Sequence, residues 1–162
     1  MKKIFFVFSL LTLLSCADNS DKIAELQNRI DSLQLKINDS YKPGFGEFMS
    51  NIQVHHAKLW FAGINENWPL AEFEIHEIEE SIEDLKKYQA EREESKMLPI
   101  INPPLDSVRA AIKNENLVSF KNNFATLTNT CNSCHQAVKF DFNKVKIPDS
   151  PPFNNQVFKK EK

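Results

Sequence analysis

Glycine is scarce in this chain of 162 residues, which contains only three. Proteins built from β-strands and tight turns use glycine where the backbone needs a positive φ angle, so its scarcity argues against a turn-rich β fold. Long stretches, such as residues 105–147, also lack proline, the residue that most often interrupts helices. The sequence therefore predicts an all-α fold.

Positive charge is not in excess either, since the formal net charge of the chain is −2 at pH 7. Removal of Lys2 and Lys3 with the export signal described below would leave a more acidic mature chain. A protein that binds phosphate backbones needs a basic surface, and no basic stripe stands out along this sequence. Nucleic acid is therefore not an expected partner.

The most apolar segment, residues 4–14, is shorter than the usual membrane-spanning helix. It follows two lysines, as in an export signal, and it leads into a Leu-Leu-Ser-Cys sequence ending at Cys16 that resembles the bacterial lipobox. Residues 1–15 are thus predicted to be a lipoprotein signal peptide whose cleavage leaves Cys16 lipidated. The alternatives are a plain secretory signal and a short membrane helix. The lipoprotein interpretation predicts a protein of the bacterial cell envelope, lipid-anchored to the membrane and facing the periplasm or the cell surface.

Residues 16–42 are predicted to form the anchor and a coiled-coil or stalk helix. Within residues 18–39, apolar side chains alternate at spacings of three and four, which is the heptad pattern of a coiled coil. They are Ile23, Leu26, Ile30, Leu33 and Ile37. Because barely three heptads are marginally stable alone, three arrangements stay open: a stalk, the seam of a homodimer, or a helix folded back on the main domain.

Residues 43–140 are predicted to form an antiparallel four-helix bundle, because four amphipathic segments are joined by short connections. A loop containing Pro99 separates the second helix from the third. The four helices are expected over about 45–67, from 68 to about 94, from 103, and from about 116. Residues 141–162 contain three prolines and are predicted to be an irregular strap.

The second predicted helix is strongly acidic. Its acidic residues are Glu72, Glu74, Glu77, Glu79, Glu80, Glu83 and Asp84. A solvated face is the simplest interpretation, because charged side chains on a helix surface normally remain in water. A docking patch for a basic redox partner is the alternative.

The clearest motif is Cys-Asn-Ser-Cys-His at residues 131–135, the Cys-x-x-Cys-His sequence that attaches c-type haem. In a helix, residues at i, i+3 and i+4 share one face. The thiols of Cys131 and Cys134 can therefore bond the haem vinyl groups while His135 binds the iron. These positions continue an apolar stripe of the fourth helix, which predicts that they face the bundle interior. The predicted cofactor is one covalent haem c with its iron.

Three other uses of the two cysteines fit the sequence less well. A zinc site needs a fourth ligand, and no second cysteine pair is present. A thioredoxin-like redox pair needs a strand and helix context that is missing. A disulfide between helical residues at i and i+3 is a poor cross-link. With Cys16 assigned to the lipid, Cys131 and Cys134 are the only remaining cysteines.

The residue on the other side of the iron is predicted from bundle topology. In an antiparallel bundle the end of the fourth helix faces the start of the first, where Met49 lies. His56 is two turns further along the same face, whereas His55 points about 100° away from it. Methionine on an apolar face is often only core filler. Three distal states therefore stay open: Met49, His56, and an open or water-bound position.

The order of these elements resembles the cytochrome c-prime class, in which four helices carry Cys-x-x-Cys-His near the end of the last one. The resemblance covers about residues 45–140. Residues 56–63, 67–71 and 131–136, with a Pro-Pro-Phe-Asn-Asn-Gln tail, are similar to a group of bacterial monohaem proteins. The resemblance implies either a five-coordinate iron that binds nitric oxide or carbon monoxide, or a low-spin iron with a distal methionine that carries electrons. The strap departs from the class pattern and is a candidate cover for the haem edge.

Together these features predict a membrane-anchored monohaem cytochrome that transfers electrons, rather than an enzyme. Its redox partner is not indicated by the sequence. The alternatives are a five-coordinate haem that binds or senses gas, and a helical lipoprotein that recruits a partner while its haem is structural. A homodimer would form through the heptad helix or, as the resemblance implies, through the first two bundle helices.

Overall fold

The computed structural model describes residues 17–40 and 43–160. These residues form five α-helices and one 3-10 helix, and no strand occurs among them. The predicted all-α class is therefore confirmed. The chain divides into two compact units, residues 1–42 and residues 43–162. The predicted signal peptide and the lipidated Cys16 lie outside the described residues.

Helix α1, Ala17–Ser40, is the described part of the first unit. A helix is thus present where the heptad pattern predicts one. Its apolar stripe is accessible, because the side chains of Ile23, Leu26, Ile30 and Leu33 are each more than half exposed. A stripe of this kind is suited to pairing with another helix. The choice among a stalk, a dimer seam and a folded-back helix stays a prediction.

The second unit contains four α-helices. They are α2, Phe45–Ile64; α3, Trp68–Tyr88; α4, Asn102–Lys113; and α5, Leu117–Ala137. Asparagine side chains cap two of them. Oδ1 of Asn67 accepts a hydrogen bond from the N–H group of Leu70, and Oδ1 of Asn116 accepts one from the N–H group of Ser119. These bonds satisfy N–H groups that have no partner within the first helical turn, so local sequence explains where α3 and α5 begin.

Helices α2, α4 and α5 end in the same type of turn, although none of these turns contains glycine. Glu66, Glu115 and Lys139 adopt positive φ angles of 54°, 51° and 64°. The N–H group of the residue after each bonds to the carbonyl five residues earlier. This is the Schellman arrangement, in which glycine is usual. The turn at Lys139 is important for the site because it starts the segment that contacts His135.

The segment before α4 differs from the prediction. A loop is predicted around Pro99, but the structure has a 3-10 helix, Glu94–Ile101. The Ser95 hydroxyl donates to the carbonyl of Gln89, and Leu98 is buried in a small apolar cluster. Since these contacts come from outside the segment, they order it in a way that its own short sequence does not reveal.

All four helices of the second unit contribute to one core. Helices α2 and α3 pack closely, as do α4 and α5, and α2 also contacts α5. The main residues of the core are Leu59 and Ala62 from α2, Ile75, Ile78 and Ile82 from α3, Val108 and Ile112 from α4, and Phe120, Phe124 and Leu127 from α5. Trp60 and Trp68 pack against Phe120 at the centre of this cluster.

The last described segment, residues 138–160, has neither helix nor strand. Side-chain contacts nevertheless attach it to the helices. The side chain of Asn132 bonds to the backbone of Val145, and Asn67 donates to the carbonyl of Phe158. The ring of Phe158 is buried and lies 5.7 Å from that of Phe61. The segment therefore follows a defined path along the bundle without regular structure.

Gly63 allows the ring of Phe120 on α5 to pack directly against α2. A Cβ atom at this position would overlap the ring of Phe120, which is fully buried. We expect Gly63→Ala to lower the free energy of unfolding by about 1–3 kcal/mol, because a packed core has little space for the ring to move into. Urea unfolding measures this change.

Gly46→Ala is the matched control, since Gly46 lies in the same helix and an added Cβ atom would meet nothing within 4 Å. We expect it to leave stability unchanged or to raise it by up to about 1 kcal/mol, because alanine favours helix over glycine. Equal losses of stability in the two variants would contradict the role given to the contact with Phe120.

Candidate functional site

Helix α5 carries the predicted attachment residues near its C-terminal end. Its buried face runs through the middle of the helix to Leu127, and Cys131, Cys134 and His135 continue the same three-four spacing. Residues at this spacing share one face. All three side chains are half-buried, and all three line one cavity.

The cavity lies between α2, α3, the 3-10 helix and α5 and has a volume of about 540 Å³, open space at its mouth included. Eight of its twelve lining residues are apolar, and the others are two cysteines and two histidines. The lining residues are Met49, Ile52, His56, Ile78, Ile82, Leu98, Ile100, Ile101, Leu127, Cys131, Cys134 and His135. The cavity thus brings together all five predicted cofactor-binding residues. Its apolar walls favour a bulky apolar ligand over a hydrated one.

The thiols of Cys131 and Cys134 are not joined in a disulfide. Burial raises the pKa of Cys131 to about 12, helped by the neighbouring Cys134, and burial also raises the pKa of Cys134. A thiol–disulfide oxidoreductase requires the opposite, because a lowered pKa activates its attacking thiol. The two residues therefore have the properties of half-buried, protonated thiols.

The tautomer of His135 follows from its hydrogen bond. Its Nδ1 atom lies 2.6 Å from the backbone carbonyl oxygen of Asn143. Because a carbonyl oxygen can only accept, the ring proton is on Nδ1, and Nε2 of the neutral ring keeps its lone pair. A hydrogen bond of this kind orients imidazoles that bind metals through the other nitrogen. His135 is therefore arranged to bind a metal ion through Nε2.

His56 lies on the cavity wall and is only 4% exposed. Its Nε2 atom lies 2.9 Å from Oγ1 of Thr128, and the Thr128 hydroxyl donates to the carbonyl of Phe124. The Thr128 oxygen is then the acceptor for the His56 Nε2–H group. Burial lowers the pKa of His56 to about 4. His56 is thus a neutral imidazole whose Nε2 atom is already engaged.

Met49 lies two turns before His56 on α2 and is half-buried. It packs against a small cluster that includes Phe48 and Leu98, and it lines the cavity. It also borders an adjoining open space that extends to the C-terminal segment. A thioether is only a weak hydrogen-bond acceptor, so Met49 is not committed to a hydrogen bond in the way that His56 is.

A buried polar cluster between α2 and α3 corrects one expectation. The acidic residues of α3 are predicted to form a solvated face, but Glu74 is fully buried. Its Oε2 atom lies 2.7 Å from Nδ1 of His55, and Nζ of Lys58 lies 3.8 Å from its Oε1 atom. The sequence contains a signal for this burial, because Glu74 lies three and four residues from the buried Ala71 and Ile78. A buried carboxyl group needs hydrogen-bonding partners, and His55 provides one. His55 therefore contacts α3, whereas His56 contacts Thr128 of α5.

Comparison of the chain with protein-family models, with curated proteins and with solved structures finds no match. Within residues 17–40 and 43–160, no helix is both long and apolar enough to cross a membrane. In those same ranges, no group of three or more histidine, cysteine, aspartate or glutamate side chains is arranged to hold a metal ion. The function is therefore argued from the geometry and chemistry of the cavity.

His56 makes stability depend on pH. In the unfolded chain its imidazole takes up a proton near pH 6.5, whereas in the folded protein it stays neutral down to about pH 4. Between these two values the unfolded state therefore binds more protons than the folded state, which favours unfolding. At higher pH the imidazole is neutral in both states, so the effect is absent. We expect the free energy of unfolding to fall by up to about 3 kcal/mol from this group as the pH falls from 7 to 4.

Urea unfolding at several pH values measures this dependence in the wild type and in His56→Gln, which no longer titrates. We expect a shallower dependence in the variant between pH 7 and pH 4. His76→Gln is the control, because His76 is exposed and its ion pair with Glu80 is exposed as well. The same dependence in wild type and His56→Gln would show that burial of this imidazole does not govern acid stability.

Proposed function

We propose that this chain is a monohaem c-type cytochrome that transfers electrons and is not an enzyme. The observation that carries the proposal is the arrangement of Cys131, Cys134 and His135 on one face of α5. They open into an apolar cavity, and His135 keeps a lone pair on Nε2. Two thiols and one imidazole in this order are the protein groups that hold a c-type haem.

The residues of the cavity fit this cofactor. Each thiol would add its S–H group across one haem vinyl group, with the sulfur and the hydrogen bonding to the two vinyl carbons, so attachment requires no oxidant. The apolar side chains from α2, α3 and the 3-10 helix would exclude water from the macrocycle. When bound, haem supplies one-electron chemistry, while the polypeptide supplies ligation and burial.

The same observations favour haem over zinc and over thiol redox chemistry. A zinc ion held by Cys131, Cys134 and His135 would lack a fourth ligand. The Nε2 atom of His56 already makes a hydrogen bond to Thr128. The raised pKa values of both thiols do not suit disulfide exchange. Moreover, the mostly apolar lining of the cavity does not suit a hydrated metal ion.

Met49 is proposed as the distal ligand. Its thioether borders the same cavity as His135, whereas the nitrogen of His56 that would bind iron most readily is used by Thr128. A thioether ligand raises the reduction potential of haem, which suits electron transfer at a useful potential. The proposed function is therefore electron transfer rather than gas binding.

The proposal includes an antiparallel arrangement of α2 to α5, as in the cytochrome c-prime class that the sequence resembles. Support comes from the short connections at residues 65–67 and 114–116, each joining two helices that pack closely together. Lipidation at Cys16 would hold the protein in the cell envelope, near a redox partner protein. The exposed heptad stripe of α1 supports pairing with another helix, including that of a second copy.

Replacement of Met49 by leucine conserves volume and removes the thioether. We expect the oxidised wild type to show a low-spin spectrum with the weak far-red band of sulfur ligation, and the reduced wild type to resist carbon monoxide. Met49→Leu should lose the band and bind carbon monoxide. Ile52→Leu is the control, because Ile52 lines the same cavity one turn away without a ligand atom.

Two results would change the proposed function or its ligand. A wild-type spectrum that is high-spin and shifts readily with carbon monoxide would replace electron transfer by gas binding. A low-spin spectrum that survives Met49→Leu and disappears in His56→Leu would assign the distal position to His56.

A further inference from the structure

Asn132 lies inside the Cys-x-x-Cys-His motif, yet its side chain contacts a segment beyond α5. Its Nδ2 atom donates to the carbonyl oxygen of Val145 at 2.8 Å, and its Oδ1 atom accepts the N–H group of Val145 at 2.8 Å. Only an amide side chain carries a neutral donor and acceptor side by side in this way. The hydroxyl of Ser133, the other variable residue of the motif, bonds only within α5 to the carbonyl of Asn129.

The segment that Asn132 contacts has no regular structure to set its path. Residues 138–146 form neither helix nor strand, and the side chain of Phe142 is 80% exposed. At one end, the N–H group of Phe140 bonds to the carbonyl of His135. At the other end, Asn132 holds both polar groups of the Val145 backbone. Between these two attachments, the N–H group of Asn143 bonds to the carbonyl of Phe140. The position of Asn143 therefore depends on this turn and on the attachment at each end.

The carbonyl of Asn143 is the group that accepts the Nδ1–H of His135, at 2.6 Å. The connection thus runs from Asn132 by two hydrogen bonds to Val145, along the backbone through Lys144 to Asn143, and from the Asn143 carbonyl by a hydrogen bond to His135. It begins and ends within the motif itself. The first variable residue of the motif is in this way connected to the imidazole that would bind the iron.

We propose that Asn132 is a positioning residue for His135, and that it lowers the reduction potential of the haem by holding the Asn143 carbonyl against the Nδ1–H group. This inference rests on the proposed function. A carbonyl that accepts from Nδ1–H makes Nε2 a more basic ligand. A more basic axial ligand stabilises the oxidised iron relative to the reduced iron, so that weakening this bond moves the reduction potential upward.

The first test compares Asn132→Ala with Ser133→Ala in the full-length protein carrying its haem. Both variants keep the two cysteines and His135. We expect haem attachment in both, a more positive reduction potential in Asn132→Ala, and the wild-type potential in Ser133→Ala. Asn132→Asp keeps the acceptor for the Val145 N–H group but loses the donor. Its negative charge would itself lower the potential, so this variant is compared by the His135 tautomer, whose Nε2–H fraction should lie between those of the wild type and Asn132→Ala.

The second test uses the full-length chain made without haem. Long-range ¹⁵N–¹H NMR reports which nitrogen of His135 carries the proton. We expect the Nδ1–H form in the wild type and a larger fraction of the Nε2–H form in Asn132→Ala. Exchange of the Val145 amide proton should become about tenfold faster or more, because the hydrogen bond that protects it is removed.

One result would overturn the inference: Val145 exchange accelerates in Asn132→Ala while the His135 tautomer and the reduction potential stay as in the wild type. The Asn132 amide would then only hold residues 138–146 in place. If Asn132→Ala does not fold, Asn132→Asp is judged by Val145 exchange and by the His135 tautomer. Absence of covalent haem from the wild type would overturn the proposed function and the effect on potential, whereas the tautomer measurement still decides the positioning role.

Discussion

The packing face of α5 repeats at spacings of three and four residues, and the rest of the second unit is arranged around it. Its middle buries Phe120, Phe124 and Leu127 against the other helices. The same repeat then carries two thiols and an imidazole into the cavity at the end of the helix. A shift of one residue would turn them by about 100°, away from this face. The packing that stabilises the fold therefore also sets the direction of the site.

Two adjacent histidines show how hydrogen bonds orient α2 against its neighbours. His55 bonds to the buried Glu74 of α3, and His56 bonds to Thr128 of α5. Because a buried polar group is costly without a partner, rotation of α2 would break both bonds at once. The resulting orientation directs Met49 and the residues near it toward the cavity. The polar cluster on one side of α2 thus supports the apolar cavity on the other side.

Local patterns predict much of this structure. The three-four repeats locate α1, α2, α3 and α5, asparagine caps two helix starts, and the 100° offset between residues i and i+1 separates His55 from His56. The motif selects the cavity residues of α5. Other features depend on contacts between distant segments. The 3-10 helix at Glu94–Ile101, the glycine-free Schellman turns and the carbonyl of Asn143 beside His135 have no local signature, because neighbouring parts of the fold stabilise them. The burial of Glu74 could be predicted only in part. Its position on the apolar stripe of α3 is visible in the sequence, but its partner His55, nineteen residues earlier, is not.

Covalent attachment of haem is decided by acid–acetone extraction of the protein produced with a c-type haem maturation system, followed by mass spectrometry of the peptide that contains residues 131–135. If Cys131 and Cys134 form thioethers, the haem stays with that peptide after extraction and no free thiol is found in it. A polypeptide that loses all haem to the solvent, with both thiols free, would contradict the assignment of this cavity to a c-type haem.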